Sequence, residues 1–179
     1  LRDAGLPHGQ VNIVPCRNEH ANILLSDPRI RKISFTGSTT VGWKLKEMAG
    51  PRKVTLELGG NAAVLLHGDA DFEPAIPGIA QGAFGLAGQS CISIQRILVH
   101  ESIADRFCRR LVDHIQTTVR TGDPRDRSTL VGPMIDSVAL QRAAALIEDA
   151  VQRGGRILCG GTRQGPCMLP TLLESVPRS

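Results

Sequence analysis

The sequence predicts an α/β fold that begins in a parallel, doubly wound sheet and passes into a second α/β region. Three observations predict it. Short β-rich runs alternate with helical stretches over the first third of the chain, which is the rhythm of a parallel sheet with crossover helices. Glycine and proline mark most of the changes of period. At Gly59-Gly60 the rhythm shifts, and a domain change is set there.

The elements follow in order. Gln10 to Pro15 (Q-V-N-I-V-P) is a β-rich run, and residues 19–26 fit a short helix. Lys32 to Thr36 is a strand-like run ending on Gly37. Ser38 to Met48 reads as a helix with Ser38 or Thr39 as its N-cap, stopped by Ala49-Gly50-Pro51. Val54 to Leu58 and Ala62 to Leu66 are strands on either side of the glycine pair. From Asp71 to Ala87, Phe72, Ile76, Ile79, Ala83 and Phe84 recur at helical spacing. Pro77 inside that stretch predicts a kinked or late-starting helix, because an interior proline costs about 3 kcal/mol. Ile94 to His100 is a strand. Ser102 and Asp136 are the expected caps of two amphipathic helices, separated by a polar loop over Thr121 to Pro133. The second helix stops at Gly154-Gly155, Arg156 to Cys159 is a strand, and Leu169 to Leu173 is a last short one.

Composition excludes several functions. The 179 residues are 41% hydrophobic and 21% charged, a globular balance, and no apolar run approaches the length of a membrane span. The net charge of +4 is spread without a basic block, and aromatic residues reach only 3%, so a nucleic-acid groove is not expected. The five cysteines have irregular spacing and form no C-x-x-C pair, so no metal site is expected. Nothing resembles a secretion signal, and reduced thiols in a cytoplasm are the default reading.

Three motifs carry chemistry. Gly37-Ser38, after a strand and before a helix, lets backbone N–H groups approach a phosphate; the same turn is also an ordinary helix cap. Glu57 ends a strand in L-E-L-G-G. Its neighbours Leu56 and Leu58 favour a carboxylate partly withdrawn from water, which suits a general base, while a solvated strand-end carboxylate is the plainer reading. Cys91 in G-Q-S-C joins a helix to a strand among small and polar residues. It reads either as a nucleophilic thiol or as a buried structural cysteine.

Taken together, these stretches resemble the NAD(P)-dependent aldehyde dehydrogenase superfamily. The matching segments are I-S-F-T-G-S-T-T-V-G (33–42), V-T-L-E-L-G-G-N (54–61), G-Q-S-C (88–91), I-S-I-Q-R-I-L-V-H-E-S-I (92–103), T-G-D-P (121–124), V-G-P-M-I (131–135) and G-G-R-I-L-C-G-G (154–161). They occur in the family's order, with the family's interval between Glu57 and Cys91. The resemblance implies the end of a doubly wound cofactor-binding domain over 1–58 and the first part of an α/β catalytic domain over 59–179. It implies an aldehyde oxidised to a carboxylic acid with NAD or NADP. Cys91 is then the nucleophile and an oxyanion donor through its N–H, and Glu57 the base that activates water. Gly37 and Ser38 hold the pyrophosphate, Val41 lines the adenine pocket, and Leu58 and Gly59 lie beside the nicotinamide.

The wording G-N-A-A-V and G-Q-S-C-I-S-I-Q-R is most similar to the lactaldehyde- and short-aldehyde-oxidising branches. One stretch departs from the pattern, because Cys16, Arg17, Asn18 and Asn22 stand where the family spaces glycines. Family members are more than twice this length, so the resemblance implies a central segment, an intact protein that is a homo-oligomer, and little NAD binding or turnover by the segment alone. A non-catalytic truncated module and a relative that releases its acyl group to coenzyme A are the alternatives.

Overall fold

A computed structural model describes residues 3–177, which divide into two compact units, one ending at Gly59 and one beginning at Gly60. The α/β class expected from the sequence is what the chain adopts.

The first unit holds helix α1 (Asn18–Ser26), strand β1 (Lys32–Thr36), helix α2 (Thr39–Ala49) and strand β2 (Lys53–Glu57). Strands β1 and β2 pair in parallel from Lys32↔Lys53 to Thr36↔Glu57, with α2 as the crossover. Leu25, Ile33 and Ala49 form its small core. Ser38 caps α2, its hydroxyl accepting from the Val41 N–H at 3.4 Å. The β-rich run at 10–15 is not a strand: Ile13 and Val14 stand 88% and 65% exposed, and no strand of the described residues pairs with them. A β-rich run forms a strand only where a neighbour supplies the ladder.

The second unit begins with another parallel pair, β3 (Ala62–Leu66) and β4 (Ile94–Val99), joined through helix α3 (Ala75–Phe84) and a 3₁₀ turn over Gly85–Gly88. Pro77 is the third residue of α3, where its missing N–H costs no helical bond, so the helix starts late and is not broken. Helix α4 (Glu101–Thr118) places Ile103, Phe107, Leu111 and Ile115 on one buried stripe. They pack with Leu66, Phe72, Ile76, Ile79 and Cys159 in the main core. Phe72 and Phe107 meet edge to face, with centroids 5.5 Å apart at 85°. The cap of α4 differs from expectation. It is His100, whose Nδ1 accepts from the Ser102 N–H at 3.3 Å, and Ser102 lies inside the helix.

Helix α5 (Ser137–Gln152) is capped by Asp136, which accepts from the Ala139 N–H at 2.7 Å. Strand β5 (Arg156–Cys159) follows and pairs antiparallel with β8 (Leu172–Glu174), a strand shifted from the expected 169–173. Between them β6 (Arg163–Gln164) and β7 (Cys167–Met168) form a small hairpin that the sequence reading does not contain.

Candidate active site

In the first unit the candidate residues gather where β1 and β2 end. The Gly37 N–H donates to the Glu57 carbonyl at 3.0 Å, so the turn into α2 and the end of β2 are stitched together. A side chain at 37 would meet the Phe35 ring at 2.5 Å, which keeps this turn bare at the N-terminus of an eleven-residue helix. Val41, in the first turn of α2, is 45% exposed. Leu58 packs on α2: a methyl group at Gly42 would fall 2.3 Å from its Cδ2. Gly59 faces open space.

Glu57 corrects one expectation. Strand β2 alternates between exposed and half-buried residues, with Lys53, Thr55 and Glu57 on the exposed face and Val54 and Leu56 on the other. Side chains one residue apart point to opposite faces of a strand. Leu56 and Leu58 therefore do not shield the Glu57 carboxylate, which is exposed.

In the second unit Cys91 occupies a turn between the 3₁₀ segment and β4. The Ser93 N–H closes that turn on the Ser90 carbonyl at 3.1 Å, and the Ile92 N–H reaches the Ser90 hydroxyl at 3.4 Å. Neither bond uses the Cys91 N–H. The thiol is exposed, so the buried-cysteine reading is overturned. Leu86 and Ala87 both have left-handed backbones, with φ of 54° and 55°. Such a conformation costs a non-glycine residue roughly 1–2 kcal/mol, so the approach to Cys91 is strained and held by its surroundings.

Three residues around Cys91 were not singled out from the sequence. The Gln89 side chain donates to the Leu86 carbonyl at 3.0 Å and to the Pro133 carbonyl at 3.4 Å, and accepts from the Ile135 N–H at 2.8 Å. Ser93 is 3% exposed, and its hydroxyl donates to the Ala83 carbonyl at 3.0 Å. At Gly60 a side chain would stand 2.9 Å from the Cys91 carbonyl oxygen. Gln89 and Gly60 sit inside the quoted motifs G-Q-S-C and L-G-G-N, which was the available signal. Ser93 gave none beyond being a polar residue at a strand's edge.

The other thiols differ from Cys91. Burial pushes the Cys108 thiol up, with Glu174 and Asp105 adding to it, and burial pushes the Cys159 thiol up as well. Cys167 is buried in β7, not in a loop, and Cys16 is exposed. Among the described residues no helix is long and apolar enough to cross a membrane.

The sequence profile of the aldehyde dehydrogenase family matches residues 1–179. The chain belongs to that family. The 3-sulfolactaldehyde dehydrogenase of Priestia megaterium is 40% identical over 177 residues, covering 98% of this chain and 37% of the relative. The NADP-dependent succinate-semialdehyde dehydrogenase of Escherichia coli is 38% identical over 180 residues, covering 97% and 37%. Among solved structures, the NAD-dependent aldehyde dehydrogenase of Sinorhizobium meliloti superimposes with a TM-score of 0.93 at 36% identity, covering 98% of this chain and 36% of that one. The lactaldehyde dehydrogenase of Escherichia coli does so with 0.91 at 35% identity, covering 98% and 38%. The fold of this aldehyde dehydrogenase family member is thus the corresponding part of the family fold. The chain spans little more than a third of the length of the curated relatives it matches.

Proposed function

We propose that this chain carries the nucleophile, the hydrolytic base and part of the cofactor site of an enzyme that converts an aldehyde, water and oxidised NAD or NADP into a carboxylic acid and reduced cofactor. The observation that carries the reading is Cys91, an exposed thiol on a turn whose closing bonds leave its own N–H unused.

The Cys91 thiolate adds to the aldehyde carbon, and the new oxyanion takes a hydrogen bond from the Cys91 N–H. Loss of hydride from that carbon leaves a thioester on Cys91. Glu57 takes a proton from the water that attacks the thioester; the C–S bond breaks, the acid departs and the thiol is restored. NAD or NADP, when bound, supplies the hydride acceptor. The bare Gly37–Ser38 turn at the start of α2 suits a pyrophosphate, because a glycine there and a helix N-terminus both favour an approaching anion. Val41 offers an exposed apolar side chain that would pack on adenine, and Leu58 and Gly59 would lie beside the nicotinamide. The first unit accordingly serves the cofactor and supplies the hydrolytic base, and the second carries the nucleophile. The motif wording favours a short aldehyde such as lactaldehyde, and the protein acts as a cytoplasmic homo-oligomer.

Single-turnover kinetics on the intact protein of which this chain is a segment test the assignment. Cys91→Ala should abolish reduction of the cofactor. Glu57→Gln should keep the first burst of reduced cofactor and slow the steady rate that follows. Turnover surviving in Cys91→Ala would sink the reading; loss of the burst in Glu57→Gln would move Glu57 from the water to the thiol.

A further inference from the structure

We propose that Gln89 is a positioning residue for acyl transfer at Cys91, an inference that rests on the reading of Cys91 as the nucleophile. Among the described residues, its carboxamide is the one side-chain group seen to bridge the cysteine turn, the strained corner before it and the Pro133–Ile135 segment. The Leu86 carbonyl receives two bonds from this one residue, from the Gln89 backbone N–H at 3.1 Å and from its Nε2 at 3.0 Å. The same Nε2 reaches the Pro133 carbonyl at 3.4 Å, and Oε1 takes the Ile135 N–H at 2.8 Å. All three partners are backbone atoms, so the contact fixes main chain to main chain across more than forty residues of sequence. A carboxamide donates from its nitrogen and accepts at its oxygen at the same time, as this arrangement requires.

The geometry matters because acyl transfer builds an oxyanion, and its stabilisation depends on where the N–H groups of the turn point. Leu86 and Ala87 are left-handed and carry strain that the turn can release by moving. Gln89 opposes that movement two residues before the thiol. Simple alkylation of a thiol builds no oxyanion and needs only an accessible thiolate. The ratio of the two rates at Cys91 therefore reports positioning and cancels any change in the thiolate fraction.

The test uses the purified 179-residue protein with two reagents, each followed by mass mapping of the cysteine peptides. p-Nitrophenyl acetate transfers its acetyl group to the Cys91 sulfur and releases p-nitrophenolate; iodoacetamide alkylates the same sulfur and releases iodide. In the parent protein Cys91 should be acetylated faster than Cys16, the other exposed thiol. Gln89→Met keeps the length and bulk of the side chain and removes its donors and acceptor. It should slow acetylation of Cys91 by about 10- to 100-fold while leaving alkylation within about threefold. Gln89→Glu keeps the acceptor for the Ile135 N–H and should lie between the two. A packing role alone would leave the ratio unchanged in Gln89→Met, and an unchanged ratio in both variants overturns the proposal. If Gln89→Met opens the buried Cys159 and Cys167 to reagent, its fold is lost and the Gln89→Glu ratio decides alone. Parent Cys91 reacting with the ester no faster than Cys16 would instead overturn the nucleophile reading, and this inference with it.

Discussion

The hydroxyl of Ser93 donates to the Ala83 carbonyl at 3.0 Å, pinning the residue two beyond Cys91 to the last turn of α3. Ser93 is buried, so the bond is shielded from water. Ser93→Ala should lower stability by about 1–3 kcal/mol, the cost of leaving a buried partner unsatisfied, and should also slow acetylation of Cys91. Urea denaturation measures the first effect. A variant as stable as its parent would mean that water replaces the hydroxyl.

At Gly60 the constraint is steric. A methyl group there would lie 2.9 Å from the Cys91 carbonyl oxygen, inside contact distance, so the cysteine turn must shift. Gly60→Ala should reduce acetylation of Cys91 by about tenfold or more, since displacements near 1 Å cost about a hundredfold. Cys159 and Cys167 should stay protected, because the change lies away from the core they help to form.

The five thiols should separate in alkylation at neutral pH. Cys91 and Cys16 are exposed and should label first. Cys108 and Cys159, whose thiols burial holds above the ordinary range, should label slowly and gain rate only as pH rises past that range. Cys167 is buried and should resist. Fast labelling of Cys159 in folded protein would contradict the packing of β5 against α4.

Phe107 is 1% exposed and meets Phe72 edge to face at the centre of the main core. Phe107→Ala should cost about 3–5 kcal/mol, against well under that for Phe107→Leu, which refills most of the space. Chemical denaturation of both variants gives the comparison.

Asp27 has a direct pH consequence. Arg29 donates to its carboxylate, with Nη2 2.6 Å from Oδ2, and holds its pKa down at about 2 from an ordinary 3.8. A depressed carboxylate favours the folded state above its unfolded value and loses that contribution as pH falls through about 2. NMR titration of Asp27 should show that low midpoint, and Arg29→Ala should return it towards the ordinary value.

Much of this was legible because local chemistry and tertiary structure agree. K-I-S-F-T is a strand in the structure with the same bounds, and Pro77 delayed α3 as the loss of an N–H requires. The three chemical motifs fell on turns and strand ends. What escaped the sequence depended on non-local or unusual chemistry. An imidazole is a rare helix cap, so Ser102 drew attention away from His100. Leucine and alanine do not advertise left-handed backbones, so the corner at 86–87 was invisible. The hairpin at 163–168 rests on two-residue strands around Gly165, with φ of 56°, too short to show a period. The exposed face of Glu57 followed from strand alternation, which a reading of its sequence neighbours overlooked.

The contact between Gly42 and Leu58 sets a rule for divergence. A Cβ at 42 would stand 2.3 Å from the Leu58 Cδ2, so the Leu58 side chain must swing aside to admit one. In lineages descended from this chain, a larger residue at the fourth position of α2 should go with a smaller or reoriented one after β2. The two positions should therefore drift as a pair, and a change at 42 alone would be felt at Leu58, next to the strand end that bears Glu57.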